Sequence, residues 1–188
     1  RQGAAVAVEV PREDPHPVRL LPLLEGLHNV PPVTAVLGIA DDGVPLLIRL
    51  PSPDVAHILV AGTTGSGKTA LLRAMILSLA YFNRPPTADH RPPTADHRPR
   101  TAVAGGPSSV VFVLVDPKGR AFRDLEGLPH LARPVISDPA EAVEALGSLV
   151  RLMEVRSRER ADSLSTCILV IDELADLLMV AGAEAERP

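Results

Sequence analysis

Residues 57–73, HILVAGTTGSGKTALLR, constrain this chain more than any other stretch. An apolar run at about 55–61 suits a buried strand. It leads into a glycine-rich turn, and the turn leads into an apolar run that suits a buried helix over 68–82. The turn itself, Gly62-Thr63-Thr64-Gly65-Ser66-Gly67-Lys68-Thr69, fits G-x-x-x-x-G-K-[ST], with the strand before it and the helix after it that the pattern requires. Gly65 and Gly67 permit backbone conformations and close approaches that a side chain would block. Successive N–H groups then wrap phosphate oxygens, and the helix N-terminus adds positive field. Lys68 is expected to reach the β- and γ-phosphates of ATP, and the Thr69 hydroxyl to ligate Mg2+. The plain alternative is a Gly-Ser-Thr turn that matches by accident, and both flanks argue against it.

A Mg2+-dependent hydrolase also needs an acid at the end of a neighbouring strand. VVFVLVD ends in Asp116 and ILVID ends in Asp172. Asp172 is followed by Glu173, and a second carboxylate beside the metal-site acid can polarise an attacking water. Asp172 is therefore the better Walker B acid, near the Mg2+, with Glu173 as the base; capping of the following helix could coexist with that role. Asp116-Pro117-Lys118-Gly119 reads as a turn, either a simple corner or part of the ligand-binding edge at the carboxyl ends of parallel strands.

Strands alternating with helices argue a parallel, doubly wound α/β sheet. Only four aromatic residues occur, Tyr81, Phe82, Phe112 and Phe122, so the core must be aliphatic. We read residues 1–54 as a lead-in, with a short strand at 4–10 and a β-hairpin whose turn is Asp42-Gly43. Residues 55–188 read as a P-loop ATPase core, interrupted by a proline-rich loop at 84–109. That loop holds the heptapeptide RPPTADH twice and the start of a third copy. Its prolines spoil helix and central strand alike. Residues 135–136 suit a short strand. DPAEAVEALGSLVRLMEVRSRER reads as an amphipathic helix with Asp138 as N-cap, Pro139 in the first turn and Glu141 completing a capping box; Val143, Leu146, Leu149, Val150 and Met153 share one face.

The net charge of −4 shows no global basic field for nucleic acid, although a few local cations could still serve it. The arginines at 156, 158 and 160 suit a solvated helix end better than a DNA contact. The single cysteine, Cys167, excludes an intramolecular disulfide, and the six histidines show no metal-ligand spacing. No apolar run approaches the roughly 18–20 residues of a membrane span. The chain has no signal-peptide layout, and both of its ends look like cuts through a longer protein.

HILVAGTTGSGKT…MILSLA, VDPKG, LEGLPHL and VIDELADLLM occur in the order, and roughly the spacing, of the FtsK/SpoIIIE DNA translocases, and the chain resembles that family over most of its length outside 84–109. VAVEVP and VLGIADDGVPLLIRL also resemble the lead-in to that family's motor. The resemblance implies a RecA-like P-loop NTPase domain, a mostly parallel sheet with helices on both faces, that hydrolyses ATP with Mg2+. It further implies assembly as a homo-oligomeric ring, usually a hexamer, around double-stranded DNA, at the cytoplasmic face, with any membrane anchor elsewhere in the protein. Typical roles are chromosome segregation at division and conjugative DNA transfer.

Three departures from the family's pattern stand out. The RPPTADH insert replaces a shorter connection, and the link from Ala161 to Thr166 is short. The family also continues beyond Walker B with a strand that lies between the Walker A and Walker B strands. The expectation is therefore a C-terminally incomplete domain, with a gap or an improvised pairing in its sheet, marginal and inactive in isolation. A related reading is a secretion or conjugation ATPase that moves protein. A non-enzyme reading is a truncated nucleotide-binding module without turnover.

Overall fold

The computed structural model describes residues 16–50, 57–83, 85, 109–158 and 165–185. The strand expected at 4–10 and nearly all of the 84–109 loop lie outside these residues. The element order is α1 (Leu20–Gly26), β1 (Thr34–Ile39), β2 (Pro45–Arg49), α2 (Lys68–Phe82), β3 (Val110–Val115), a short 3-10 turn (Arg123–Leu125), α3 (Pro139–Arg158), β4 (Thr166–Ile171) and α4 (Leu174–Ala185).

Strand β3 organises the molecule. VVFVLV is apolar at every position, so a strand made from it must be covered on both faces, and all six residues are buried. Alternation then sorts its side chains. Val110, Phe112 and Leu114 join Met75, Ile76 and Leu79 of α2 in one core. Val113 and Val115 join Ala142 and Ala145 of α3 and Leu177 of α4 in the other. Strand β4 pairs with β3 in parallel, from Val110↔Thr166 to Val115↔Ile171. Its side chains follow the same division, with Ile168 and Val170 toward the α2 side and Cys167, Leu169 and Ile171 toward the α3 side. Helices therefore cover both faces of a parallel sheet, as expected. The segment at 135–136 contributes an isolated parallel bridge, Val115↔Ile136.

The hairpin forms as anticipated. β1 and β2 pair antiparallel, and Gly43 takes φ 83 in the turn. The hairpin lies on α2: Val33 and Ala35 enter the same core as Met75 and Ile76. Ser78 accepts a bond from the Val36 N–H at 2.9 Å, and Asn83 accepts one from the Val33 N–H at 2.9 Å. The carbonyl of Asn83 in turn accepts the Nε2–H of His130 at 3.0 Å. Burial lowers the pKa of His130 and the carbonyl opposes that shift, so the ring serves there as a neutral donor.

Three expectations need correction. The strand expected at about 55–61 is not formed over its described part: residues 57–61 belong to neither sheet, and Ile58 and Leu59 are 41% and 81% exposed. An apolar run becomes a strand only when a neighbour pairs its N–H and C=O groups, and among the described residues β4 pairs with β3 alone. Among the described residues the parallel sheet is therefore partial, β3 and β4 alone. Second, the capping box at α3 is half made. The Asp138 carboxylate accepts the Glu141 N–H at 2.9 Å, but the Glu141 carboxylate turns to the buried guanidinium of Arg133. Third, the buried stripe of α3 is Ala142 and Ala145, with Leu146 and Leu149 beside it, whereas Val143, Val150 and Met153 face outward. Small residues win the inner face because they allow the helix to approach the sheet closely.

Replacing Asn83 with alanine leaves the buried Val33 N–H without its acceptor. The expected cost is about 1–3 kcal/mol. Hydrogen exchange at the Val33 amide should accelerate by about tenfold or more, and unchanged protection there would refute the role given to Asn83.

Candidate nucleotide site

The glycine loop stands open. Residues 61–67 are all exposed, and Lys68 and Thr69 begin α2 half-buried. Two glycines take the left-handed conformations that the sequence predicts, Gly65 at φ 80 and Gly67 at φ 96. Gly67 is also the residue from which α2 starts, so its N–H and those that follow project into the loop. Gly62 is closely approached: a Cβ there would lie 2.5 Å from the Ser66 hydroxyl oxygen, which would have to swing aside. Lys68 folds back over its own loop and donates from Nζ to the carbonyls of Gly62 and Thr63, both at 3.0 Å.

Of the predicted residues, the structure brings Thr69 and Asp172 together. The Thr69 hydroxyl donates to Asp172 Oδ1 at 3.1 Å, across 103 residues of sequence. The β3–β4 register makes this possible. Asp172 follows the last β4 residue, and its N–H is fixed to the Val115 carbonyl at 3.0 Å. Burial raises the Asp172 pKa above the ordinary carboxylate value. The Thr69 bond opposes that shift, the neighbouring Asp116 and Glu173 add to it, and Lys118 works against it.

Asp116, the other candidate acid, faces elsewhere. Its Oδ2 accepts the N–H groups of Ala121 at 2.7 Å and Phe122 at 3.0 Å, which closes the Asp-Pro-Lys-Gly turn. Gly119 completes that turn at φ 63, with its N–H on the Asp116 carbonyl. Asp116 also borders a cavity of about 240 Å³ with Gly119, Arg123, Glu126, Val135 and Ser137, apart from the glycine loop. Glu173 is not at Thr69. It sits at φ 56, with its carboxylate 3.8 Å from Lys118 Nζ.

Sequence reasoning missed three participants. Lys118 pairs with Asp176 at 3.1 Å, and that contact is the main cause raising the Lys118 pKa. Arg73 of α2 donates to the Arg120 carbonyl at 2.9 Å and also to the Ala121 carbonyl, tying the nucleotide helix to the loop after β3. Each partner lies dozens of residues away in sequence, so only the quoted motifs VDPKG and VIDELADLLM could have marked Lys118 and Asp176, and nothing local marks Arg73.

The residues present fit Mg2+. Hard oxygen donors, a hydroxyl from the first turn of α2 and a carboxylate from the end of β4, converge. No group of three or more His, Cys, Asp or Glu suited to a metal occurs among the described residues. Mg2+ is commonly held by one or two protein oxygens, with waters and phosphates supplying the rest.

A glycine-rich loop opening a helix, with its threonine on a carboxylate at the carboxyl end of a parallel strand, defines a P-loop NTPase. The FtsK/SpoIIIE family profile matches residues 28–87 and 101–163. The chain belongs to that family; the interval between the two matched stretches falls on the RPPTADH copies, and residues 1–27 and 164–188 lie outside the match. The DNA translocase FtsK of Campylobacter jejuni is 32% identical over 206 residues, covering 96% of this chain and 19% of the relative. That of Helicobacter pylori is 34% identical over 205 residues, covering 97% and 21%. The chain thus spans about a fifth of the length of these relatives. Among solved structures, the cytoplasmic domain of the Thermomonospora curvata type VII secretion ATPase EccC matches with a TM-score of 0.56 and 25% identity, over 93% of this chain and 21% of that one.

Gly67→Ala forces a side chain into the left-handed region at the start of α2, at a cost of about 1–2 kcal/mol. Affinity for a fluorescent ATP analogue should fall by about tenfold. Unchanged binding would show that the loop does not require glycine at this position.

Proposed function

We propose that this chain is the ATP-binding and hydrolysing segment of a motor that translocates double-stranded DNA. The observation that carries the ATPase reading is the Thr69–Asp172 contact, which joins the glycine loop to the end of β4. Kinship with relatives named DNA translocase directs that activity at DNA. In this reading Gly62, Thr63, Thr64, Gly65, Ser66, Gly67, Lys68 and Thr69 hold the phosphates. Thr69 and Asp172 hold Mg2+, which when bound neutralises charge on the β- and γ-phosphates. Lys68 leaves its own carbonyls for phosphate oxygens, and Glu173 takes the proton of the attacking water. The intact protein works as a homo-oligomeric ring, with any membrane tether supplied outside this chain. No helix among the described residues is long and apolar enough to cross a membrane.

The likeness to a type VII secretion ATPase supports a second reading, an ATPase that moves protein. One measurement separates the two. ATP turnover by the intact protein should rise on addition of duplex DNA. Indifference to DNA, with stimulation by a protein substrate, would favour the second reading. Lys68→Ala should abolish turnover through lost phosphate binding. Glu173→Gln should still bind ATP while turnover falls by about 10²–10⁴-fold. Near-normal turnover in that variant would remove Glu173 from the role of base.

A further inference from the structure

We propose that Lys118 is a positioning residue for Glu173, anchored by Asp176, and that it couples the Asp116–Gly119 turn to ATP turnover. This rests on the reading of Glu173 as the base. Three observations carry it.

The first is the backbone at the end of β4. Glu173 is a non-glycine residue at φ 56, where a Cβ is strained. The turn sends two adjacent carboxylates to two different loops. Asp172 meets Thr69 of the glycine loop, and Glu173 meets Lys118 of the turn after β3. Strained backbone of this kind clusters at functional sites, and Lys118 is the charged side chain that meets the Glu173 carboxylate.

The second is the geometry of the ammonium. Lys118 Nζ lies 3.1 Å from Asp176 Oδ2 and 3.8 Å from Glu173 Oε2. The shorter contact fixes the cation, and Asp176 is itself held by its N–H on the Glu173 carbonyl at 3.0 Å. At 3.8 Å the second contact exceeds hydrogen-bond length. It orients the Glu173 carboxylate without occupying a lone pair, which remains available to a water proton.

The third is the rigidity of the platform. The Asp116 N–H is bound to the Ile136 carbonyl at 2.8 Å, the Asp116 carboxylate to two backbone N–H groups, and the Gly119 N–H to the Asp116 carbonyl. Arg73 fastens the far side of the same loop to α2. The ammonium is therefore delivered from a fixed origin. Lys118, Glu173 and Asp176 are each 32–52% exposed along their side chains, so these contacts add little to stability. Their consequence is the placement of Glu173.

The test is steady-state ATPase of the intact protein, with thermal unfolding as a control. Lys118→Ala should lower kcat by about ten- to a hundredfold, leave KM for ATP within about twofold, and melt as the parent does. Lys118→Arg should restore most of the rate, and Asp176→Asn should lower kcat in the same direction. In a Glu173→Gln background, Lys118→Ala should cause no further loss. The proposal is overturned if Lys118→Ala keeps or exceeds the parent kcat, shifts KM alone, or still slows the Glu173→Gln enzyme. If Lys118→Ala unfolds early, failure of Lys118→Arg to recover kcat while recovering the melting temperature overturns it too. Normal turnover by Glu173→Gln would refute the base assignment itself. A dead Glu173→Gln enzyme with normal Lys118→Ala turnover would refute this inference alone.

Discussion

Everything at the site depends on the parallel ladder between β3 and β4. Strand β3 has no polar residue with which to face water, so it draws α2 to one face and α3 and α4 to the other. Once β3 is fixed between those layers, pairing of Val115 with Ile171 places Asp116 and Asp172 at the same sheet edge. A register slip of one residue would turn the Ile168 and Leu169 side chains to the opposite cores and carry Asp172 away from Thr69. The hydrophobic effect thereby sets the position of a polar contact that contributes little to folding by itself.

The two carboxylates at that edge diverge because their surroundings differ. Asp116 is 1% exposed, and two N–H groups from its own turn occupy one of its oxygens. A carboxylate committed in this way builds a loop. Asp172 is 9% exposed and has a hydroxyl from another element as its partner, with the open glycine loop beyond. Arg73 and Lys118 join the elements around the edge. Arg73 binds α2 to the loop after β3, and Lys118 binds the turn before it to α4. The loops that would meet a nucleotide are therefore held to one another by side chains as well as by the sheet.

Much of this was legible in the sequence because it depends on local rules. Burial of the all-apolar VVFVLV, glycines where φ is positive, the Asp42-Gly43 turn and the Asp138 cap all follow from residues within a few positions of one another. What failed depends on long-range partners. HILVAG has the composition of a buried strand, yet Leu59 is 81% exposed, because composition does not supply the neighbouring ladder. Glu141 looked like half of a capping box, but Arg133 competes for its carboxylate with a charge-assisted bond that a neutral N–H cannot match. Val150 and Met153 shared a helical face with Leu146 and Leu149, but the sheet accepted the narrower alanine face instead. The preference for Asp172 over Asp116 came from the adjacent Glu173, whereas the structure separates the two acids by where their oxygens point.

The posture of Lys68 follows from the same openness. Its ammonium donates to two loop carbonyls, both 3.0 Å away. These are bonds from a charged donor to neutral acceptors in a solvent-exposed setting, so each is weak in net terms. A phosphate oxygen offers the same ammonium a charged acceptor at similar reach, and such pairs are roughly twice as strong. Such an exchange would be favoured electrostatically, and water can reach the loop carbonyls because residues 61–67 are exposed. Lys68 thus folds over its own loop through contacts weaker than those a phosphate would offer. Gly65 and Gly67 hold the left-handed turns of the same loop, the backbone conformation from which anion-binding nests are built.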